Sequence, residues 1–387
     1  MPRNDIRVAL DLSCAFDAEL GGVGITAIRQ ISALIAQQDA LDLRLFATRP
    51  RTPAKAFATQ RHAFTRWTVL PYTRLLKHHL WTGLGWPPIE WFCGEVDIAH
   101  GLFHQLPAAR HARRVATIHD LSFLRMPEVH TPQTIKIHSA LVQQCARQAD
   151  ACIAVSQYGK NDLIELLGMP PERIAVVHDG VDLTQFEGEL DRDALAEVRK
   201  KYGVRPAYFI HLSTVEPRKN LIRVFEAYQR LRTRCPDCPQ LVLAGKRGWL
   251  SEPIFERLAP LVESGDAVHC GYLRRRDAML LLRGAVACVY PSLYEGFGLP
   301  ALEAMAARTP LIASSAGALP EVVGDGGALP DPTDVDAIEA ALVEVVDGKD
   351  AVRARVEAGY ERAKTFTWEH SAHSLAGFYR ALVQSQT

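Results

Sequence analysis

Short apolar runs alternate with amphipathic stretches along the whole chain. In the first half, residues 7–13, 42–48, 97–102, 114–119, 151–156 and 174–177 read as buried strands, being brief, apolar and bounded by turn-forming residues. Apolar positions recur at helical spacing over 25–37 and 133–148, and Ser156 is placed to cap the helix that follows it. The second half repeats the alternation, with strands expected at 208–212, 241–244, 267–271 and 285–290. Helices are expected at 221–233, near 253–263, through Leu282, from Pro300, near Val335 and over 370–383. Strands that alternate with helices in this way predict α/β architecture built on parallel, doubly wound sheets. A chain of 387 residues can hold two such domains, each with its own core.

Composition narrows the partners. Lys plus Arg (44) equals Asp plus Glu (44), so no global charge draws the chain to nucleic acid. No run of eighteen apolar residues occurs, and the N-terminus lacks the basic-then-apolar order of a signal peptide; a cytoplasmic location is expected. The eight cysteines are then expected to be reduced, with Cys14, Cys145, Cys152, Cys270 and Cys288 in apolar segments as core residues. Cys235 and Cys238 have a metal-like spacing, but no second pair completes four ligands. One stretch departs from neutrality. Between Leu43 and Ile89 there is no acidic residue, while Arg44, Arg49, Arg51, Lys55, Arg61, Arg66, Arg74 and Lys77 all fall there, with Trp67, Trp81, Trp86 and Trp91 in or beside it. Basic residues mixed with tryptophan suit contact with anionic lipid headgroups. The plainer account is a solvated helical excursion whose tryptophans pack on the first domain.

The chemistry concentrates at 290–306, Tyr-Pro-Ser-Leu-Tyr-Glu-Gly-Phe-Gly-Leu-Pro-Ala-Leu-Glu-Ala-Met-Ala. A strand here runs through a glycine-containing turn into a helix with Pro300 near its start. Backbone N–H groups at such a junction attract phosphate, and Gly296 and Gly298 let the backbone approach it closely. Glu295 and Glu303 frame the turn with seven residues between them, which suits a sugar nucleotide carrying hydroxyls on both sides of a diphosphate. Either carboxylate alone would read as an ordinary solvated residue. Arg218 and Lys219 follow the 208–212 strand and can neutralise a leaving diphosphate without a metal. His119 and Asp120 end the 114–119 strand, where α/β sheets bind ligands, although a satisfied core histidine is the commoner case. Gly21-Gly22-Val23-Gly24 lies between the first strand and first helix, as a tight turn or a place for ligand approach, without a dinucleotide fingerprint. The acids between Asp331 and Asp336 read as a capping turn rather than a metal site.

The glutamate pair around Gly-Phe-Gly-Leu-Pro, with Glu216-Pro-Arg-Lys-Asn and Thr117-Ile-His-Asp-Leu, resembles the retaining glycosyltransferases of family 4. The resemblance spans nearly the whole chain and implies the GT-B fold, two Rossmann-like domains with a cleft between them. It places an acceptor-binding domain at 1–184, a nucleotide-sugar-binding domain at 185–366 and a helix crossing back at 367–387. It implies Glu295 and His119 at the donor sugar, Arg218 and Lys219 on the diphosphate, and Glu303 on the ribose. Gly22, Gly24, Gly245, Gly296, Phe297, Gly298 and Leu299 would line the donor. Lys246 or Arg247 would lie near the base, where Trp249 either stacks or covers the next helix. Ser213-Thr214 stands where many relatives have Gly-Arg, so the cationic clamp rests on Arg218 and Lys219. His178-Asp179 replaces the usual Pro-Asn before Gly180-Val181-Asp182. The implied reaction is metal-independent transfer of a sugar, with retention, from a GDP-sugar such as GDP-mannose to an acceptor hydroxyl in bacterial polysaccharide, lipopolysaccharide or glycolipid assembly. The acceptor would be a glycan or a lipid-linked molecule, with peripheral contact at the inner face of the cell membrane through 43–91. A UDP-sugar donor, a UDP-N-acetylglucosamine epimerase and a non-catalytic nucleotide-sugar-binding partner are the rivals. The epimerase would carry several acid–base carboxylates in the cleft, where only His119 and Asp120 are further candidates, and a non-catalytic partner need not keep Lys219, Glu295 and Glu303.

Overall fold

The apolar runs assemble into two parallel sheets. The computed structural model describes residues 5–16, 22–37, 41–48, 67–348 and 350–384. Its first sheet contains β1 (Ile6–Asp11), β2 (Leu41–Thr48), β3 (Trp67–Leu70), β4 (Ile98–Gly101), β5 (Arg113–Ile118), β6 (Ala151–Ala154) and β7 (Ile174–Val176). They lie in the order β3-β2-β1-β4-β5-β6-β7, all parallel. The second sheet has β8 (Tyr208–Leu212), β9 (Gln240–Ala244), β10 (Ala267–Gly271), β11 (Ala287–Val289) and β12 (Leu311–Ile312), in the order β10-β9-β8-β11-β12. In both, the chain order reverses beside a central strand, and ligands of open α/β sheets bind at the carboxyl ends of the strands at such a point.

The chain divides into two compact units. One holds the residues up to Arg125, Pro132–Gly180 and those from Trp368; the other holds Met126–Thr131 and Val181–Thr367. The final helix, Trp368–Gln384, therefore packs in the first unit, where Tyr379 Oη and His100 Nδ1 are 2.6 Å apart and Gln30 Nε2 donates to Ser371 Oγ (3.0 Å). In the second unit the Leu221–Arg234 helix buries Leu221, Val224, Phe225, Ala227, Tyr228 and Leu231 on one stripe against β8 and β9. Each large side chain on that stripe stabilises the fold by roughly 1.5–3 kcal/mol. Its other face carries Arg223, Glu226 and Arg230.

Several expectations change. The first helix begins at Gly22, with Gly24 buried in its opening turn, so the two glycines belong to the helix rather than to a loop before it. A Cβ at Gly22 would meet nothing within 4 Å. The basic tryptophan-containing stretch is not a uniform surface. Arg44 pairs with Asp42 (2.9 Å) and donates to the carbonyls of Cys93 and Glu95. Lys77 is buried, 2.5 Å from Asp11 and over the ring of the buried Trp81. Arg49, Arg51, Lys55, Arg61 and Arg66, and the side chain of Arg74, lie outside the described residues. Trp86 and Trp91 are 50% and 62% exposed and meet edge to face at 5.4 Å. Cys14, Cys145, Cys152 and Cys288 are buried as expected, whereas Cys270, at the β10 edge, is only half-buried. Asp331 and Asp334 accept backbone N–H bonds from Thr333 and from Asp336 and Ala337, which makes the acidic run a pair of capping turns. Among the described residues no His, Cys, Asp and Glu cluster has the makings of a metal site, and no helix is long and apolar enough to cross a membrane.

Candidate active site

Pairing of β11 with β8 sets two loops side by side at the carboxyl end of the second sheet. One is Ser213–Asn220 and the other Tyr290–Gly298, joined where Leu293 N–H donates to the Arg218 carbonyl (2.9 Å). Asn220 ties them further through Nδ2 to the carbonyls of Pro291 (3.1 Å) and Pro332 (2.6 Å). Its φ of 61° is a left-handed conformation that asparagine tolerates better than most residues. The chain is thereby turned so that Arg218 and Lys219 point back into the junction.

Four charged side chains meet there. Lys219 Nζ donates to Glu295 Oε1 (2.6 Å), and Arg218 Nη1 lies 2.9 Å from Glu295 Oε2. Arg218 Nη1 also donates to the Tyr294 carbonyl (2.7 Å), while its Nη2 donates to Glu216 Oε1 (2.7 Å). Glu216, Lys219 and Glu295 are buried. Burial alone would raise the Glu295 carboxyl, but Arg218 and Lys219 hold it down at about 2. Burial, helped by Arg218, pushes the Lys219 ammonium below its ordinary value, and Glu295 opposes that fall. Two cations and two carboxylates sum to zero, so each charge has a partner to offset its loss of hydration.

The turn that follows depends on its glycines. Gly298 has φ 105°, and a Cβ there would lie 2.6 Å from Leu319 Cδ2. It precedes the Leu299–Ala306 helix. The Phe297 ring is buried and packs edge to face on Phe366 at 5.8 Å, which fixes the backbone of the turn. Leu299 is half-buried in the first turn of the helix. Glu303, one turn further on, is paired with Arg275 at 2.5 Å, and that arginine also reaches Gln185. Glu303 is therefore tied to Arg275, while Glu295, Arg218 and Lys219 form one cluster. Gly245 is required by the chain itself, since a Cβ there would sit 1.7 Å from the Ser213 carbonyl oxygen. Arg247 lies over Phe255 and near Glu252. Trp249 donates from Nε1 to the Val129 carbonyl (2.8 Å) and stacks on His130 at 5.7 Å, so it anchors the Met126–Thr131 segment.

In the first unit, His119 follows β5 directly. Its Nε2 donates to the Leu102 carbonyl (2.9 Å), which leaves Nδ1 as the acceptor, and burial lowers its basicity. His119 N–H donates to His104 Nε2 (3.1 Å), and Phe103 stacks on His104 at 4.4 Å. The Asp120 carboxylate accepts from the N–H and Oγ of Ser122 at the start of a short helix.

Sequence reasoning overlooked four participants. Glu216, Tyr290 and His211 were read as letters of a motif or a strand, although a histidine inside the apolar run Tyr-Phe-Ile-His-Leu is the kind of buried polar residue that signals a network. Gly317, with φ 63°, lies against the backbone of Glu295, where a Cβ would approach its nitrogen to 2.7 Å.

Residues 196–362 match the family described as glycosyl transferases group 1, and residues 20–185 match Glycosyltransferase Family 4. The O-antigen chain mannosyltransferase B of Escherichia coli is 32% identical over 289 residues, covering 74% of this chain and 74% of that protein. Among solved structures, sucrose-phosphate synthase from Thermosynechococcus elongatus has a TM-score of 0.75 at 21% identity, over 98% of this chain and 100% of its own. Anabaena HepE in complex with UDP-glucose has a TM-score of 0.72 at 16% identity, over 97% and 100%. The chain belongs to glycosyltransferase family 4, the group 1 glycosyltransferases, and has their GT-B fold of two Rossmann-like domains.

Proposed function

We propose that this glycosyltransferase moves mannose or a related sugar from a GDP-sugar to an acceptor hydroxyl during assembly of a bacterial polysaccharide, lipopolysaccharide or glycolipid. The observation that carries the reading is the Arg218–Lys219–Glu295 cluster beside the Gly298 turn. Kinship to a mannosyltransferase of O-antigen chains supports the sugar. In this reading Lys219, Arg218 and the N–H groups of Gly296 and Gly298 take the diphosphate, where they oppose charge as it develops on the leaving group. Glu295 serves the sugar and Glu303 the ribose, with Gly245 near the base. The first unit takes the acceptor, with Gly22 and Gly24 at its glycine-rich helix start and His119 offering a neutral imidazole to a sugar hydroxyl. Configuration is retained, the departing phosphate oxygen accepting the acceptor's proton on the same face. No metal is required, because two cations and a helix N-terminus already face the diphosphate.

The second reading keeps the site and exchanges the donor for a UDP-sugar, favoured by the structural likeness to HepE, whose solved complex holds UDP-glucose. A thermal-shift series with GDP, UDP, GDP-mannose and UDP-glucose, with and without chelator, decides between them, since a ligand of the folded state raises its apparent stability. A selective rise with the GDP compounds, indifferent to chelator, is expected. A rise confined to the UDP compounds overturns the donor.

The site of action is the cytoplasmic face of the cell membrane, reached through Trp86, Trp91 and Leu84, which are 50%, 62% and 72% exposed on the first unit. Amphipathic aromatic rings settle at the headgroup level. Replacing Trp86 and Trp91 with serine is expected to reduce co-sedimentation with phosphatidylglycerol vesicles, and unchanged sedimentation refutes the contact.

A further inference from the structure

Lys219 has three N–H bonds to give. One goes to Glu295 Oε1 at 2.6 Å and one to the hydroxyl of Tyr290 at 2.7 Å. These two partners differ in kind. A carboxylate neutralises the ammonium that it holds, whereas a neutral phenol fixes the ammonium and leaves its charge to act on an anion. Tyr290 stays neutral, since burial pushes its hydroxyl well above the ordinary phenol range and the nearby Glu295 adds to the rise.

The tyrosine is itself held rigidly. Its backbone N–H donates to the Ile312 carbonyl (2.7 Å) at the end of β12, and its side chain is 1% exposed. Its ring stacks on His211 at 5.6 Å with planes 23° apart. His211 is fully buried, gives Nδ1–H to the Val289 carbonyl (2.9 Å) and meets Ser213 Oγ with Nε2 (2.6 Å). Burial holds that imidazole neutral, at about 4, so no charge competes with Lys219 from this side. The ammonium also lies 4.9 Å from the centre of the Tyr290 ring.

We propose that Tyr290, backed by His211 and Ser213, is the positioning residue that holds Lys219 in place for a nucleoside diphosphate. The inference rests on the reading that the diphosphate meets Lys219. If Glu295 serves the sugar in that reading, it cannot also be the fixed support of the lysine. Tyr290 is the support that remains, and Lys219 keeps a third N–H for a phosphate oxygen.

The test is calorimetric titration of GDP and UDP into wild type, Tyr290→Phe and Lys219→Ala from pH 7 to 10.5, with thermal denaturation of each. Phenylalanine keeps the ring on His211 and removes only the hydroxyl. Wild type should lose affinity as pH rises and Lys219 gives up its proton. In Tyr290→Phe the affinity at pH 7 should fall about tenfold, the size expected for one hydrogen bond to a charged group. The alkaline loss should also begin at lower pH, because a hydroxyl that accepts from the ammonium favours its charged form. A merely structural role would lower the melting temperature and leave both the affinity at pH 7 and the alkaline limb where they are; that result overturns the inference alone. Lys219→Ala binding as wild type does, or a wild type that binds neither nucleotide, overturns the diphosphate reading and the inference with it.

Discussion

The carboxyl ends of the two sheets differ in how far they rely on buried charge. At the second sheet, Glu216, Arg218, Lys219 and Glu295 are drawn away from water together, each with an oppositely charged partner within 3 Å. At the first sheet Lys77 and Asp11 form a buried ion pair at the end of β1, but the buried histidines lose their charge. Burial brings His100 and His104 down to about 3 and lowers His119 as well. The difference follows from desolvation. An ion pair with good geometry offsets the cost of leaving water, whereas an isolated base sheds its proton instead. One end is thus organised by a network of ionic bonds that an anion can exchange with, and the other by the Lys77–Asp11 pair together with neutral rings that donate and accept single hydrogen bonds.

The comparison breaks most visibly at Lys219. Lys219→Ala leaves Glu295 with Arg218 alone and should cost stability by up to about 3 kcal/mol. If the cluster is the diphosphate site, the same change should also cut turnover by roughly a hundredfold to a thousandfold at saturating donor. Denaturant midpoints measured beside turnover separate the two effects. A variant that is less stable but equally fast would make the cluster a structural device only.

Much of this was legible in the sequence, for a physical reason. Buried parallel strands read as largely apolar runs, so β8 is bounded from sequence at the ends it has in the structure. Ser156 could be seen as a cap because capping is local, and its Oγ does accept from Gly159 N–H (2.9 Å). Pairings over long sequence distance were not legible. The acid-free run from Leu43 to Ile89 looked like a basic surface, yet Lys77 finds Asp11, 66 residues earlier, and turns inward. Gly22 and Gly24 read as a tight turn or a place of ligand approach because glycine permits both, and the structure nevertheless starts the helix at Gly22, where Thr26, Ala27 and Ile28 bury the next turn. In the site, Lys219 and Glu295 were visible through their motifs. Tyr290 was hidden, since a strand-end tyrosine looks the same whether its hydroxyl holds a lysine or lies idle.

A smaller effect sharpens the comparison from inside the first unit. Asp179, just after β7, is 4% exposed, and no hydrogen bond or ion pair to it is present among the described residues. Burial lifts its carboxyl from 3.8 to about 7. It is the carboxylate that follows the imidazole rule, keeping its proton rather than its charge. The folded chain therefore holds a proton that the unfolded chain has already released, and the associated stability is complete below about pH 3.8, declines as pH rises toward 7 and is gone above it. The whole decline amounts to roughly 4 kcal/mol at most. Asp179→Asn removes the titration while keeping the shape. An amide buried without partners forfeits about 1–3 kcal/mol of its own, so the net gain at pH 8 should be modest. The pH dependence is the cleaner signal: the stability difference, variant minus wild type, should grow in the variant's favour between pH 4 and pH 7 and then level off. A difference that stays flat across that range would mean that Asp179 is ionised in the folded protein, and the contrast between paired charges in one unit and neutralised groups in the other would fail at that residue.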